Sequence, residues 1–397
     1  MEPIKRNDTG AAVEDVQTRL ARIGHLPEDA ITGIFDDATA AALAEFLAAS
    51  ALPPSEEVTE KVWAALVDAT YNLGDRTLYL RMPYFHGHDV LELQQALGAG
   101  SPKADPLLRV MGSPARVWEA DDAALRDVGF HAAERKRLGR KSLEPAAAIL
   151  KAALRDNGWV LTPDDALYPD ALREIFALPL VLYGKGECPR VDERPTLAMV
   201  GTRKPTEYGR RMAWYLAAGV AAAGMTVVSG GAVGIDAAAH QGALDAGGVT
   251  IAVQACGLDV NYPDANAPLR QQILQQGGAL ISEYPPGTTV QRHTFQARNR
   301  LISGLAQATC IVEAPIPSGS LITATHAREQ GRDVMALPGP AGLGAYAGSH
   351  ALIQKGAYLV GSPADILRQY RDRFGDLLKP EEADKVPAPR WQPPQPQ

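Results

Sequence analysis

From residue 196 onward, short apolar runs alternate with helical stretches, and no other feature of the chain limits its fold as strongly. The strands expected are Thr196–Val200, Thr226–Ser229, Thr250–Ala255, Ala279–Ser282, Thr309–Val312 and Val334–Ala336. Helices are expected between them over Thr206–Ala223, Ile235–Ala246, Pro268–Gln276, Arg300–Ala306 and Leu321–Gln330. A strand that is apolar along its whole length is buried on both faces, and strands joined through helices run parallel. The expected class is therefore α/β, with a mostly parallel sheet covered on both sides. Two more strands, Trp159–Thr162 and Leu180–Tyr183, precede this pattern, separated by a turn and a short helix within Asp164–Phe176.

At 397 residues the chain is expected to hold two or three domains. Ahead of the α/β segment the texture is helical. Ala123–Val128, Ala132–Gly139 and Ser142–Asn157 read as three helices of a small all-α domain spanning 104–157. Residues 1–98 carry an internal repeat. Gly10, Val13, Val16, Gln17 and Leu20 recur as Gly87, Val90, Leu93, Gln94 and Leu97, and in each copy the apolar residues fall on one helical face. The first copy continues through Thr32-Gly33-Ile34-Phe35-Asp36 into a second helix, Asp37 to Ala49. It resembles the peptidoglycan-binding three-helix module; the second copy lacks that continuation and is incomplete. Residues 371–397, dense in proline and charge from Leu378, are expected to be a disordered tail.

Net charge is −7, so a nucleic-acid site has to be local rather than a basic coat. The three cysteines, Cys188, Cys256 and Cys310, form no CxxC pair, which argues against a zinc site and against a disulfide framework. The polar N-terminus lacks a secretory core, and no apolar run approaches the ~20 residues that span a bilayer. A cytoplasmic protein without membrane contact, metal or cofactor is expected.

Four motifs follow strands and open or enter helices. In Gly201-Thr202-Arg203-Lys204-Pro205-Thr206, Gly201 permits a sharp turn and Thr206 suits an N-cap. Arg203 offers a planar fork to a phosphate, while a plain strand–helix turn with solvated cations fits equally well. Ser229-Gly230-Gly231-Ala232-Val233-Gly234 places three glycines before a helix, where backbone N–H groups favour an anion. Its spacing matches neither G-x-G-x-x-G nor a P-loop, and the competing reading is a tight packing turn. In Phe295-Gln296-Ala297-Arg298-Asn299-Arg300, the arginines read as phosphate ligands in preference to salt-bridge partners. Asn299 reads as pairing with a base edge or a turn, and Phe295 as a core residue or a stacking platform. Ser318-Gly319-Ser320 reads as a helix cap or a second anion site, and Glu313 as an arginine's partner. Asp236 and His240 lie one turn apart, and a structural hydrogen bond between them is expected over a catalytic dyad.

Taken together and in order, these motifs resemble the DprA/Smf family. The residues that carry the resemblance are Gly-Thr-Arg at 201–203, Ser-Gly-Gly-Ala-Val-Gly-Ile-Asp at 229–236 with His240, and Gly-Leu-Asp at 257–259 with Tyr262-Pro263. Ser-Glu-Tyr-Pro-Pro-Gly-Thr at 282–288, Arg-Asn-Arg at 298–300, Ser-Gly-Ser at 318–320 and Pro338-Gly339 continue it. The departures are Gln296 in place of a proline, Gln254-Ala255-Cys256 before Gly257, and His350 in place of an asparagine. A Pro-Gly-Ile-Gly hairpin in the helical domain and a C-terminal winged helix have no counterpart, so the helical domain at 104–157 is expected to be truncated.

The resemblance implies an extended Rossmann-like domain at 158–370 behind a SAM-like helical domain. It implies a non-enzymatic, homodimeric protein that binds and protects single-stranded DNA during natural transformation and recombination and assists RecA loading. Arg203 and Arg300 would hold the DNA backbone, with Ser229–Gly234 and Ser318–Ser320 lining the same pocket. Two alternatives stand beside it. One is a nucleotide-binding or nucleoside-phosphate-hydrolysing enzyme using Glu313 or Asp236 as acid/base. The other is a cell-wall-binding protein acting through residues 1–98.

Overall fold

The computed structural model describes residues 3–49, 114–139 and 144–389 apart from positions 164, 189 and 376, with scattered positions across 54–66 and 94–111. The chain divides into two compact units, Met1–Phe85 and His86–Gln397.

In the first unit, α1 (Ala11–Arg22) and α2 (Asp37–Ala49) enclose a core of Val13, Val16, Leu20, Phe35, Leu43, Phe46 and Leu47, joined by Ile4, Val58, Val62 and Leu66. Gln17, on the apolar face of α1, is fully buried, which requires its amide to be satisfied. Its Oε1 accepts the Thr32 and Gly33 N–H groups at 3.0 and 2.7 Å, and its Nε2 donates to the Ile34 carbonyl and the Thr39 hydroxyl at 2.9 and 2.8 Å. The repeated glutamine is thus a clip that fastens the 32–34 loop to the helix. Residues 1–85 carry fourteen Asp and Glu against seven Lys and Arg, so the whole net charge of −7 resides in this unit.

The second copy of the repeat belongs elsewhere. Most of it lies outside the described residues, but Gln94 and Leu97 fall in the second unit. Gln94 is again a buried clip. Its Nε2 donates to the Glu283 carbonyl at 3.2 Å, and its Oε1 accepts the Tyr183 hydroxyl at 2.9 Å. The division falls at Phe85, ahead of the boundary expected at 98, because these residues pack on the sheet side.

Among the described residues, helices follow as α3 (Pro114–Glu119), α4 (Asp122–Asp127), α5 (Ala132–Leu138) and α6 (Glu144–Ala153). Their core of Val117, Leu125, Phe130, Leu138 and Ala146 is shared with Val160, Leu180, Val181 and Tyr183 of the sheet edge. Next come β1 (Gly158–Leu161), α7 (Asp170–Arg173), β2 (Leu182–Gly186), β3 (Thr196–Val200), α8 (Glu207–Ala222), β4 (Thr226–Ser229), α9 (Ile235–Asp245) and β5 (Thr250–Gln254). They are followed by α10 (Ala267–Gln275), β6 (Ala279–Ser282), α11 (Arg292–Gly304), β7 (Ala308–Ile311), α12 (Gly319–Glu329) and β8 (Asp333–Ala336). The last elements are α13 (Ala347–Gln354), β9 (Tyr358–Leu359), α14 (Pro363–Phe374) and α15 (Pro380–Ala383).

The nine strands form one sheet in the order β1-β2-β6-β5-β4-β3-β7-β8-β9. From β6 to β9 every neighbour pairs parallel; β1 and β2 close one edge antiparallel. Side chains alternate between two cores as the pleat requires. Leu197, Met199, Val227, Cys310 and Met335 face α8, α9 and α14, while Ala198, Val200, Val228, Ile311 and Ala336 face α11 and α12. This is the mostly parallel α/β sheet, with preceding small all-α domains, that the pattern implied. β2 starts two residues later than expected, since Leu180 and Val181 are drawn into the helical core.

The expected disordered tail is corrected in part. Leu378 and Ala383 are buried in the same core as α8, and the Lys379 N–H donates to the Ala223 carbonyl at 2.9 Å. Residues 390–397, the proline-rich end, lie outside the described residues. No helix among the described residues is long and apolar enough to cross a membrane, and none of their His, Cys, Asp and Glu side chains cluster as a metal site.

His240 on α9 is fully buried, and its Nδ1 lies 2.7 Å from the Thr250 hydroxyl. Its partner is therefore Thr250 and not Asp236 as expected. Burial, with the Arg298 charge adding to it, depresses its pKa from 6.5 to about 3. The unfolded chain takes up the proton first as pH falls, so this contribution to stability is complete above pH 6.5 and is lost as pH drops toward 3. Between pH 7 and pH 5, urea unfolding of His240→Gln should lose about 2 kcal/mol less stability than wild type. Equal losses would show that His240 titrates as in the unfolded chain.

Candidate nucleic-acid interface

The carboxyl ends of the parallel strands make one rim. The chain builds outward from β3 through β4, β5 and β6 on one side, then returns to place β7, β8 and β9 on the other. The reversal lies between β3 and β7, where doubly wound sheets open a crevice for ligands. The loops after these two strands are Gly201–Thr206 and Glu313–Ser318, and the glycine loop after β4 adjoins them.

Glu313 ties the rim together. Its carbonyl accepts the Thr202 N–H at 2.8 Å. Its buried carboxylate accepts the Thr206 N–H at 3.0 Å, the Thr206 hydroxyl at 2.7 Å and the Tyr346 hydroxyl at 2.7 Å. Thr206 in turn caps α8 by accepting the Gly209 N–H at 3.0 Å. A Cβ at Gly209 would stand 2.0 Å from the Glu313 carboxylate, which explains a glycine inside this helix. Glu313 is thus held by a threonine and a tyrosine, where an arginine had been expected.

The glycine loop is held from below. Gly231 and Gly234 have φ of 65° and 90°, a region that side chains avoid. Arg298 is buried; its Nη1 donates to the Gly230 carbonyl at 2.6 Å and also to the Val253 carbonyl. Across a trans peptide the following N–H points the opposite way, so this bond turns the Gly231 N–H away from Arg298. Buried Asn266 takes the Gly231 carbonyl at 3.0 Å. Asp236, buried beside Arg298, accepts the Ala232 N–H at 3.4 Å. A Cβ on Gly230 would meet both Asp236 and Arg298 within 2.8 Å, so only glycine fits over this pair. Burial raises the Asp236 pKa against the Arg298 charge, and burial lowers that of Arg298 to about 10.

Two expectations for arginines are corrected here. The guanidinium of Arg298 holds loop carbonyls and does not face a ligand. Arg300 is 5% exposed and pairs with Glu283, 1% exposed, at 2.8 Å; its Nε and Nη2 also donate to the Ala177 carbonyl at 3.2 and 2.6 Å. The salt-bridge reading prevails because Leu301 and Ile302 seat α11 in the core and carry both arginines inward. Ser229 is corrected too: its buried hydroxyl donates to the Met199 carbonyl at 2.6 Å.

The other residues named from the sequence converge at the rim. Arg203 and Lys204 are exposed, and the Arg203 guanidinium lies over the Phe295 ring, 4.6 Å from its centroid. Phe295 is half-buried and meets Tyr262 with centroids 5.7 Å apart. Asn299 donates to the Gly319 carbonyl at 3.3 Å, which joins α11 to the α12 entrance. There Ser318 caps the helix, accepting the Ser320 N–H at 3.3 Å, with the two hydroxyls 2.7 Å apart. Gly201, Thr202 and Gly234 pack as one layer, the Ile235 N–H donating to the Thr202 carbonyl at 3.2 Å. The rim therefore presents an exposed cation pair, an aromatic pair and two helix N-termini, a set suited to a polyanion that carries planar groups.

Arg300→Ala should destabilise the sheet domain by about 3–5 kcal/mol, because it leaves Glu283 buried without its arginine. Urea denaturation measures this; a change under 1 kcal/mol would mean that the pair is solvated.

Residues 159–371 match the family model for DNA recombination-mediator protein A, and residues 9–66 match that of a putative peptidoglycan binding domain. A putative DNA processing protein DprA of Mycobacterium tuberculosis is 40% identical over 307 residues, covering 70% of this chain and 78% of that protein. Protein Smf of Escherichia coli is 38% identical over 266 residues, covering 66% and 70%. The X-ray structure of DNA processing protein A from Streptococcus pneumoniae superposes with a TM-score of 0.63 at 33% identity, covering 72% of this chain and 98% of that one. With the sheet, its rim loops and these matches in agreement, the chain belongs to the DNA recombination-mediator protein A family, also called DprA/Smf.

Proposed function

We propose that this chain binds single-stranded DNA along the rim, as a non-enzymatic protein of DNA uptake and recombination. The observation that carries the reading is the Arg203 guanidinium seated on the Phe295 ring at 4.6 Å, next to the glycine loop that opens α9. A cation fixed over an aromatic face presents its remaining donors to a phosphate, and the half-buried rings of Phe295 and Tyr262 offer stacking to bases of any identity. Sequence preference is accordingly weak. Duplex DNA keeps its bases stacked inside and gains only the phosphate contacts.

Family membership supports the further parts of this proposal: a role in natural transformation, protection of the strand and its transfer to RecA, a homodimer and a cytoplasmic location. The enzyme reading is the weaker one: Asp236 and Glu313, its candidate acid/base groups, are buried and bonded within the fold. Peptidoglycan remains a candidate ligand only through the match of residues 9–66.

Arg203→Ala should weaken single-strand binding and lower the slope of log affinity against log salt by about one. Fluorescence anisotropy with a labelled oligothymidylate at two salt concentrations measures both. Unchanged affinity and slope would overturn the reading.

A further inference from the structure

Phe176 is 80% exposed, set between buried Ile175 and buried Ala177. Fully burying such a ring is favourable by about 1.5–3 kcal/mol, and the chain does not do so. The backbone beside it is strained and clamped. Ala177 has φ of 55°, left-handed for a residue that is not glycine. The buried Arg300 holds the Ala177 carbonyl through Nε and Nη2, and Tyr168, fully buried, donates its hydroxyl to the Pro179 carbonyl at 2.7 Å. Below, Leu172 and Ile175 pack into the core that seats α11. Both sides of Phe176 are thus immobilised, and the ring is sent outward. Strain that the surrounding structure maintains points to a use for the position.

The position adjoins the rim. β2 runs antiparallel to β6 with Tyr183 opposite Ser282, so the residues ahead of β2 lie at the carboxyl end of β6. One guanidinium ties this loop to α11: Arg300, carried by that helix, reaches the Ala177 carbonyl, and its Nη1 turns back to the Ala297 carbonyl of the same helix at 3.2 Å. Ala297 is within one helical turn of Phe295. Beside Phe295 the outer side of α11 exposes Arg292, His293 and Gln296.

We propose that Phe176 is a second nucleobase-stacking residue, extending the single-strand track from Phe295 across α11; this rests on the single-strand reading above. The chemistry favours a base over other occupants. Protein interfaces need an apolar patch of several hundred Å², whereas the chain on either side of Phe176 offers exposed Glu174 and buried Ile175 and Ala177. A lone rigid ring matches one planar base. Glu174 repels phosphate at this point, so the contact is stacking and not ion pairing.

The test uses the full chain with a thymidylate oligomer of about 20 nucleotides and its abasic counterpart. Phe176→Ala should bind the thymidylate about fivefold to tenfold more weakly with an unchanged salt slope, and Phe176→Trp should restore affinity. On the abasic strand the Phe176→Ala penalty should vanish, while the Arg203→Ala penalty persists. Wild-type affinity in Phe176→Ala, alongside a loss in Arg203→Ala, overturns this inference and leaves the proposed function standing. Absence of strand binding by wild type overturns both. A smaller species of Phe176→Ala in sedimentation also overturns it, since the ring would then be a contact between copies.

Discussion

The rim depends on a charge that never reaches its surface. Arg298 lies buried beneath the glycine loop, with Asp236 beside it and the Gly230 and Val253 carbonyls as its acceptors. A buried guanidinium is tolerable only when paired and hydrogen-bonded, and these partners provide both. The arrangement forbids a side chain at Gly230, fixes which way the next peptide faces, and anchors the start of α9. Glu313 does the equivalent across the crevice, where Thr202, Thr206 and Tyr346 converge on it. Ligand-binding loops are ordinarily the mobile parts of a fold, and these two are tied by buried ionic groups to the strands they leave.

The architecture was legible in the sequence because period and length carry it. Apolar runs of four or five residues between amphipathic stretches cannot satisfy their backbone and bury both faces except in a parallel sheet. β9 escaped because two exposed residues, Tyr358 and Leu359, leave no period to read. The docked tail escaped because Leu378 and Ala383 are isolated among charges and prolines, and only the groove beside α8 makes them core residues. The glutamine repeat crosses the division between the two units, Gln17 lying in the first and Gln94 in the second. Gln17 and Gln94 do the same task, satisfying a buried loop, in two different cores.

The candidate site was legible to the level of loops and not of side chains. Arg203, Phe295, Asn299 and Ser318–Ser320 meet where the motifs placed them. Arg298 and Arg300 do not face outward, though a signal existed. Glu283 extends an apolar strand, and an acid there needs a buried cation; Leu301 and Ile302 show which way the following turn of α11 faces. Composition favours arginine as a phosphate ligand, but periodicity decides where a helical arginine points, and here the two disagree.

Charge placement bears on how a chain with net −7 can hold a polyanion. All of the excess acid lies in residues 1–85, so residues 86–397 are neutral in sum. At physiological ionic strength the Debye length is about 8 Å, so a carboxylate acts on a polyanion at the rim only if it lies within about that distance. Of the cations in these motifs, Arg298 and Arg300 are consumed in holding loops, which leaves Arg203 and Lys204 exposed among them. Few phosphates can then be neutralised by side chains, and the remainder of the affinity has to come from backbone N–H groups at helix entrances and from aromatic faces. Such a balance distinguishes strands by whether their bases are free to stack. Under the proposed function it would favour single-stranded over duplex DNA without any contact that reads a base edge.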